Sequence, residues 1–149
     1  ILKTTLLKIN SLDFKNRVAD LRIKIKLKIF IPGFTNFPDM YEKMLKKLGI
    51  AADVTNNGLE AYKKYIASPL NYDLILMDCE MPVLDGYLST AKMRDFEREQ
   101  QLRPVHVIAL TAHAMREQQQ RCLDVGMNNF LAKPLAFARL KQVLVQTFA

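Results

Sequence analysis

Three residues each follow a predicted short strand, and together they make one reactive set: Asp78 after residues 74–77, Thr111 after 105–110 and Lys133 after 130–132. A carboxylate attacks a phosphoryl group to give an aspartyl phosphate. A hydroxyl and an ammonium hold phosphoryl oxygens through neutral and charge-assisted hydrogen bonds. One phosphoryl group brings nearly two negative charges and three acceptors, enough to reposition neighbouring loops. The other reactive residue types offer less. His106 falls inside a predicted buried strand and His113 just after Thr111, so neither reads as a catalytic or metal-binding histidine. Cys79 and Cys122 lie in otherwise apolar segments and fit reduced packing residues better than a disulfide framework or a metal cluster. The seven methionines read as core filler.

Such side chains meet only if the runs that precede them lie side by side. From Pro38 onward the sequence alternates helical and strand patterns. Residues 38–48 carry Met40, Met44 and Leu48 on one helical stripe, with proline at the start and Gly49 at the end. Residues 50–54 form a short strand candidate, and Asn56-Asn57-Gly58 turns into a second helix that Ser68-Pro69 stops. Residues 74–77 are continuously apolar, as a strand covered on both faces must be. Asp85 stands as N-cap of a helix reaching about residue 101. Further strands are expected at 105–110 and 130–132, with helices at 114–125 and from Phe137 onward. With 27–31 as the first strand, five strand–helix units follow one another, which predicts a parallel sheet with helices on both faces. In such sheets ligands bind outside the carboxyl ends of the strands. Pro32 and Gly33, Asp78, Thr111 and Lys133 all fall at those ends.

At 149 residues, half hydrophobic and a quarter charged, the chain reads as one globular domain plus an extension. No apolar run reaches the roughly 20 residues of a membrane helix, and the start does not read as a signal peptide, so a cytoplasmic location is expected. The net charge of +7 is unevenly placed. Up to residue 28 there are eight Lys or Arg against Asp13 and Asp20, and the remainder is nearly neutral. This divides the chain into a basic leader or linker, 1–26, and a globular unit, 27–149. Across the boundary, Leu21, Ile23, Ile25, Leu27, Ile29 and Ile31 alternate with Arg22, Lys24, Lys26 and Lys28. That run exceeds the usual five or six residues of a strand, so its first half is expected to project from the sheet or to pair with another copy through residues 21–31. Nucleic-acid binding through the leader lacks a recognition motif, although clustered Lys and Arg attract phosphate.

The wording of three segments goes further: Met77-Asp78-Cys79-Glu80-Met81-Pro82-Val83-Leu84-Asp85-Gly86, Ala109-Leu110-Thr111-Ala112-His113-Ala114, and Gly126-Met127-Asn128-Asn129-Phe130-Leu131-Ala132-Lys133-Pro134. They resemble the CheY-like receiver domains of response regulators, most closely those fused to hybrid sensor histidine kinases, over about residues 40–149. The resemblance implies a flavodoxin-like five-stranded parallel sheet of order 2-1-3-4-5. It implies that Asp78 accepts phosphate from a histidine kinase or phosphotransfer domain in a two-component phosphorelay. Thr111 would be the switch hydroxyl, Lys133 the ligand of the phosphoryl oxygen, Phe130 the switch aromatic, and Lys133-Pro134 a cis bond.

One departure stands out. Receivers place two adjacent acids after the first strand to hold Mg²⁺, and counting back from Leu45-Lys46-Lys47-Leu48-Gly49 puts that pair on Pro32 and Gly33. No Asp or Glu occurs between Asp20 and Asp39. The remaining metal ligands would be the Asp78 carboxylate and the backbone carbonyl of Glu80, so Mg²⁺ is expected to bind weakly or not at all. Three accounts fit: a domain that signals by binding alone, one that keeps slow phosphorylation, or a foreign sequence before about residue 38. The leading expectation is a phosphoacceptor receiver within a larger hybrid kinase, with no small-molecule substrate beyond phosphoryl donors. The alternative is a phosphorylation-independent interaction module.

Overall fold

The computed structural model describes residues 28–32, 38–47, 50–81, 83–113 and 115–148. Among these residues five strands alternate with five helices: β1 (Lys28–Pro32), α1 (Pro38–Lys47), β2 (Ala51–Thr55), α2 (Gly58–Ala67), β3 (Leu74–Asp78), α3 (Gly86–Glu99), β4 (His106–Thr111), α4 (Arg116–Asp124), β5 (Asn129–Ala132) and α5 (Phe137–Phe148). A single 3-10 turn, Pro69–Asn71, precedes β3. All strands pair in parallel, in the order β2-β1-β3-β4-β5. The order expected from the sequence is the order found.

The elements begin and end where local chemistry says they must. Asn57 accepts a hydrogen bond from the Glu60 amide at 2.9 Å, and the Glu60 carboxylate accepts one from the Asn56 amide at 3.2 Å, so α2 opens with reciprocal capping. Asp85 caps α3 by accepting from the Leu88 amide at 2.8 Å. After α4, Met127 N–H donates to the Cys122 carbonyl and Gly126 N–H to the Leu123 carbonyl, with Gly126 at φ +98. This is a glycine-terminated Schellman end.

Side-chain alternation along β3 and β4 builds two cores. Leu74, Leu76, Ile108 and Leu110 face Leu45 of α1 and Leu140, Val143 and Leu144 of α5. Ile75, Met77, Val107 and Ala109 face Ala61 and Tyr65 of α2, Met93 of α3 and Cys122 of α4. Every residue of β3 is buried, as its unbroken apolar run required.

The basic leader, residues 1–26, lies outside the described residues, as does the first half of the 21–31 alternation. Its described part, Lys28–Pro32, pairs with β2 on one side and β3 on the other. No helix among the described residues is long and apolar enough to cross a membrane.

Candidate functional site

Asp78 ends β3 and Thr111 ends β4, while Lys133 directly follows β5; the parallel register of neighbouring strands brings all three to one edge of the sheet. Cys79 N–H donates to the Leu110 carbonyl and Lys133 N–H to the Thr111 carbonyl, both at 2.9 Å, so the main chain is fastened on each side of the site. Lys133 Nζ then donates to Asp78 Oδ1 at 2.7 Å, and the Glu80 amide donates to the same oxygen at 2.9 Å.

Asp78 is only 3% exposed. Burial pushes its carboxyl above the ordinary carboxylate range, against the opposing pull of Lys133 and the Glu80 amide. A carboxylate that is poorly hydrated yet held by one ammonium and one N–H is oriented with little solvent to strip away, which suits a nucleophile. Thr111 is buried, and its hydroxyl lies 3.1 Å from both the amide and the carbonyl of His113, so it is tied to its own loop.

Phe130 is half-buried, sits beside Ala109 in the sheet register and packs against the α2–α3 core. The Lys133-Pro134 bond is cis, as expected. Pro32 is the last residue of β1, opposite Thr55, while Gly33 lies outside the described residues. Among the described residues no three His, Cys, Asp or Glu side chains gather to hold an ion. Both cysteines are free and buried.

Two features escaped the sequence reading. The Glu80 carboxylate comes within 3.7 Å of Lys133 Nζ, so two carboxylates share one ammonium. Its position two residues after Asp78 was the available signal, but only its carbonyl was weighed. Gly86 is the second: a Cβ there would lie 2.2 Å from the Asp78 carbonyl oxygen, so the start of α3 approaches the site backbone as only glycine allows.

Residues 36–145 match the family model described as the response regulator receiver domain. The chain belongs to that family. Among curated proteins this receiver is 36% identical over 104 residues to hybrid signal transduction histidine kinase E of Dictyostelium discoideum, covering 70% of this chain and 6% of that protein. It is 34% identical over 107 residues to the sensor histidine kinase GacS of Pseudomonas protegens, covering 72% and 12%. Of solved structures, the receiver domain of sensor histidine kinase PA1611 from Pseudomonas aeruginosa, with a magnesium ion coordinated in its active-site cleft, is 36% identical. It superposes with TM-score 0.68 over 83% of this chain and 97% of that one. The receiver domain of Ssk1 from Saccharomyces cerevisiae, solved with the histidine phosphotransfer protein Ypd1, is 27% identical at TM-score 0.75 over 81% and 88%. The chain thus spans a small part of the curated kinases it matches, and the receiver fold is the part they share.

Proposed function

We propose that Asp78 accepts a phosphoryl group from the phosphohistidine of a kinase or phosphotransfer protein, and does so slowly because its metal site is degenerate. The observation that carries this reading is the 2.7 Å contact between Lys133 Nζ and Asp78 Oδ1 at the carboxyl edge, beside the end of the strand bearing Thr111. In the transfer an Asp78 carboxylate oxygen attacks phosphorus as the bond to the donor nitrogen breaks. Lys133 moves from the carboxylate to a phosphoryl oxygen, and the Thr111 hydroxyl leaves His113 to donate to another. The Ssk1–Ypd1 pair supports a phosphotransfer protein as partner. A cytoplasmic setting belongs to the same reading.

The residues present do not fit a firmly held divalent cation. Mg²⁺ requires near-octahedral oxygen ligands. Asp78 and the Glu80 carbonyl offer two, Pro32 and Gly33 offer no carboxylate, and the Glu80 side chain is turned toward Lys133. Charge developing in the transfer therefore falls chiefly to Lys133. The lack of acids at Pro32-Gly33 also favours the second reading, an interaction module that needs no phosphate.

Intact-mass measurement with acetyl phosphate across Mg²⁺ concentrations separates the two. Slow, partial addition of one phosphoryl group, lost in Asp78→Ala and accelerated about tenfold or more in Pro32→Asp/Gly33→Asp, is expected. No addition at any Mg²⁺ concentration would favour the interaction module. Fast stoichiometric labelling of the unaltered chain would show that another group replaces the missing acids.

A further inference from the structure

Cys79 directly follows Asp78, and Cys122 sits near the end of α4; they are 2% and 1% exposed, and both thiols are free. Two contacts outside the thiols draw their segments together. Gly86 N–H donates to the Cys79 carbonyl at 3.2 Å, which fastens the start of α3 to Cys79. The next residue, Tyr87, carries the Arg121 guanidinium 4.0 Å above its ring, which fastens α4 beside it. Within this frame Cys79, Cys122 and Tyr87 belong to one buried cluster, with their polar groups close enough to act on one another electrostatically.

We propose that Cys79 and Cys122 are a modification site: a dithiol that closes to an intrachain disulfide with a small disulfide as oxidant, and so ties α4 to the loop after Asp78. The proposal stands apart from the phosphoacceptor reading. Access comes from the weakness of α4. Of its nine residues, only Cys122 is buried, and the Arg121 side chain that holds it to Tyr87 and Asp85 is 59% exposed. A short helix that buries so little of itself opens locally at far less cost than the whole domain unfolds. Each opening admits the oxidant, and closing brings the sulfurs back together.

The chemistry balances without any further reactant. One cysteine thiolate attacks the small disulfide; a mixed S–S bond forms, the old S–S bond breaks, and one small thiolate leaves. The second cysteine attacks the mixed disulfide, the protein S–S bond forms, and the second small thiolate leaves. Two protein thiols are oxidised, one small disulfide is reduced to two thiols, and the two protons pass to them. The product links the end of β3 to α4 on either side of the segment bearing Thr111, and the opening of α4 is suppressed.

The full chain is incubated with oxidised glutathione, quenched, and alkylated with N-ethylmaleimide in denaturant. The expected product has lost two hydrogen atoms and takes no maleimide, whereas the untreated chain takes two, one for each cysteine. Amide hydrogen exchange across residues 116–126 should slow about tenfold or more in the oxidised chain, and return on reduction. Cys79→Ala and Cys122→Ala should both lack the product that has lost two hydrogens. A persistent glutathione adduct on one cysteine, disulfide-linked dimers, or two free thiols after prolonged oxidation would each overturn the proposal.

Discussion

Asp78 pays for its place under the sheet edge. Its carboxyl is displaced upward from the reference value of 3.8 mainly by burial, so the folded state binds this proton more tightly than the unfolded chain does. For a group raised in this direction, the stabilising contribution is present below the unfolded value and is lost as pH rises through the folded one. Asp78→Asn removes that loss while an amide oxygen still accepts from Lys133 and the Glu80 amide. The variant should be more stable than the unaltered chain near pH 7, with a higher Tm. The advantage should shrink toward zero below about pH 4. Thermal unfolding of both proteins across that pH range is the check, and a constant difference would mean that Lys133 fully offsets burial. Val83, five residues on, adds a separate strain: a β-branched residue at φ 69 in the loop leading to α3.

Among the elements, α3 is the one most firmly tied. Arg94 donates to Glu97 Oε1 at 2.6 Å, to the Gly126 carbonyl at 3.0 Å and to Asn128 Oδ1 at 3.2 Å. Glu97 Oε2 accepts from the Tyr65 hydroxyl at 2.8 Å and from the Val105 amide at 2.6 Å. Burial and then Glu97 push the Tyr65 hydroxyl well above its usual range, so it stays a donor. This satisfied network joins α2, α3, the start of β4 and the turn before β5, at the opposite end of β4 from Thr111. It sets the height of the strands that present Thr111 and Lys133. Glu97→Ala leaves Arg94 buried without its anion and should cost about 3–5 kcal/mol. Arg94→Ala/Glu97→Ala should cost clearly less than the sum of the two single changes, by over ~1 kcal/mol. Urea unfolding of the four proteins measures the difference, and strictly additive losses would mean that the pair acts as two unrelated packing residues. By contrast, α4 buries only Cys122 of its nine residues and is otherwise held through Arg121.

For the whole molecule, β1 bears on how copies of the chain meet. It lies between β2, which pairs with residues 28–32, and β3, which pairs with Ile29 and Phe30, so it is not an edge strand open to a further partner. The self-association expected from the 21–31 alternation would then involve residues 21–27, whose apolar Leu21, Ile23 and Ile25 are set by the sequence and lie outside the described residues. Light scattering should show a mass that rises with concentration for the full chain and a constant monomer mass once residues 1–26 are removed. Two strictly monomeric proteins would reduce the leader to a solvated linker. Coverage of only 6% and 12% of two matching kinases leaves the activity of any larger protein to whatever else is joined to this receiver.

What the sequence determined was periodicity and punctuation. The continuous apolar runs 74–77 before Asp78 and 107–110 before Thr111 fixed those residues at the ends of buried strands, because the part of a strand covered on both faces rarely admits a polar residue until it leaves the core. Asp85 and the Ser68-Pro69 stop marked helix ends through purely local hydrogen bonding and φ restriction. The absence of Asp and Glu between Asp20 and Asp39 was equally legible, since absence of a residue type needs no coordinates. Pairings between residues far apart in the chain were not. Nothing local says that the Glu80 carboxylate shares Lys133 with Asp78, that Glu97 meets Tyr65 and the Val105 amide, or that Cys122 comes to lie beside Cys79. Those distances depend on how helices seat against the sheet, and that is decided by packing summed over the whole core, which no window of sequence contains.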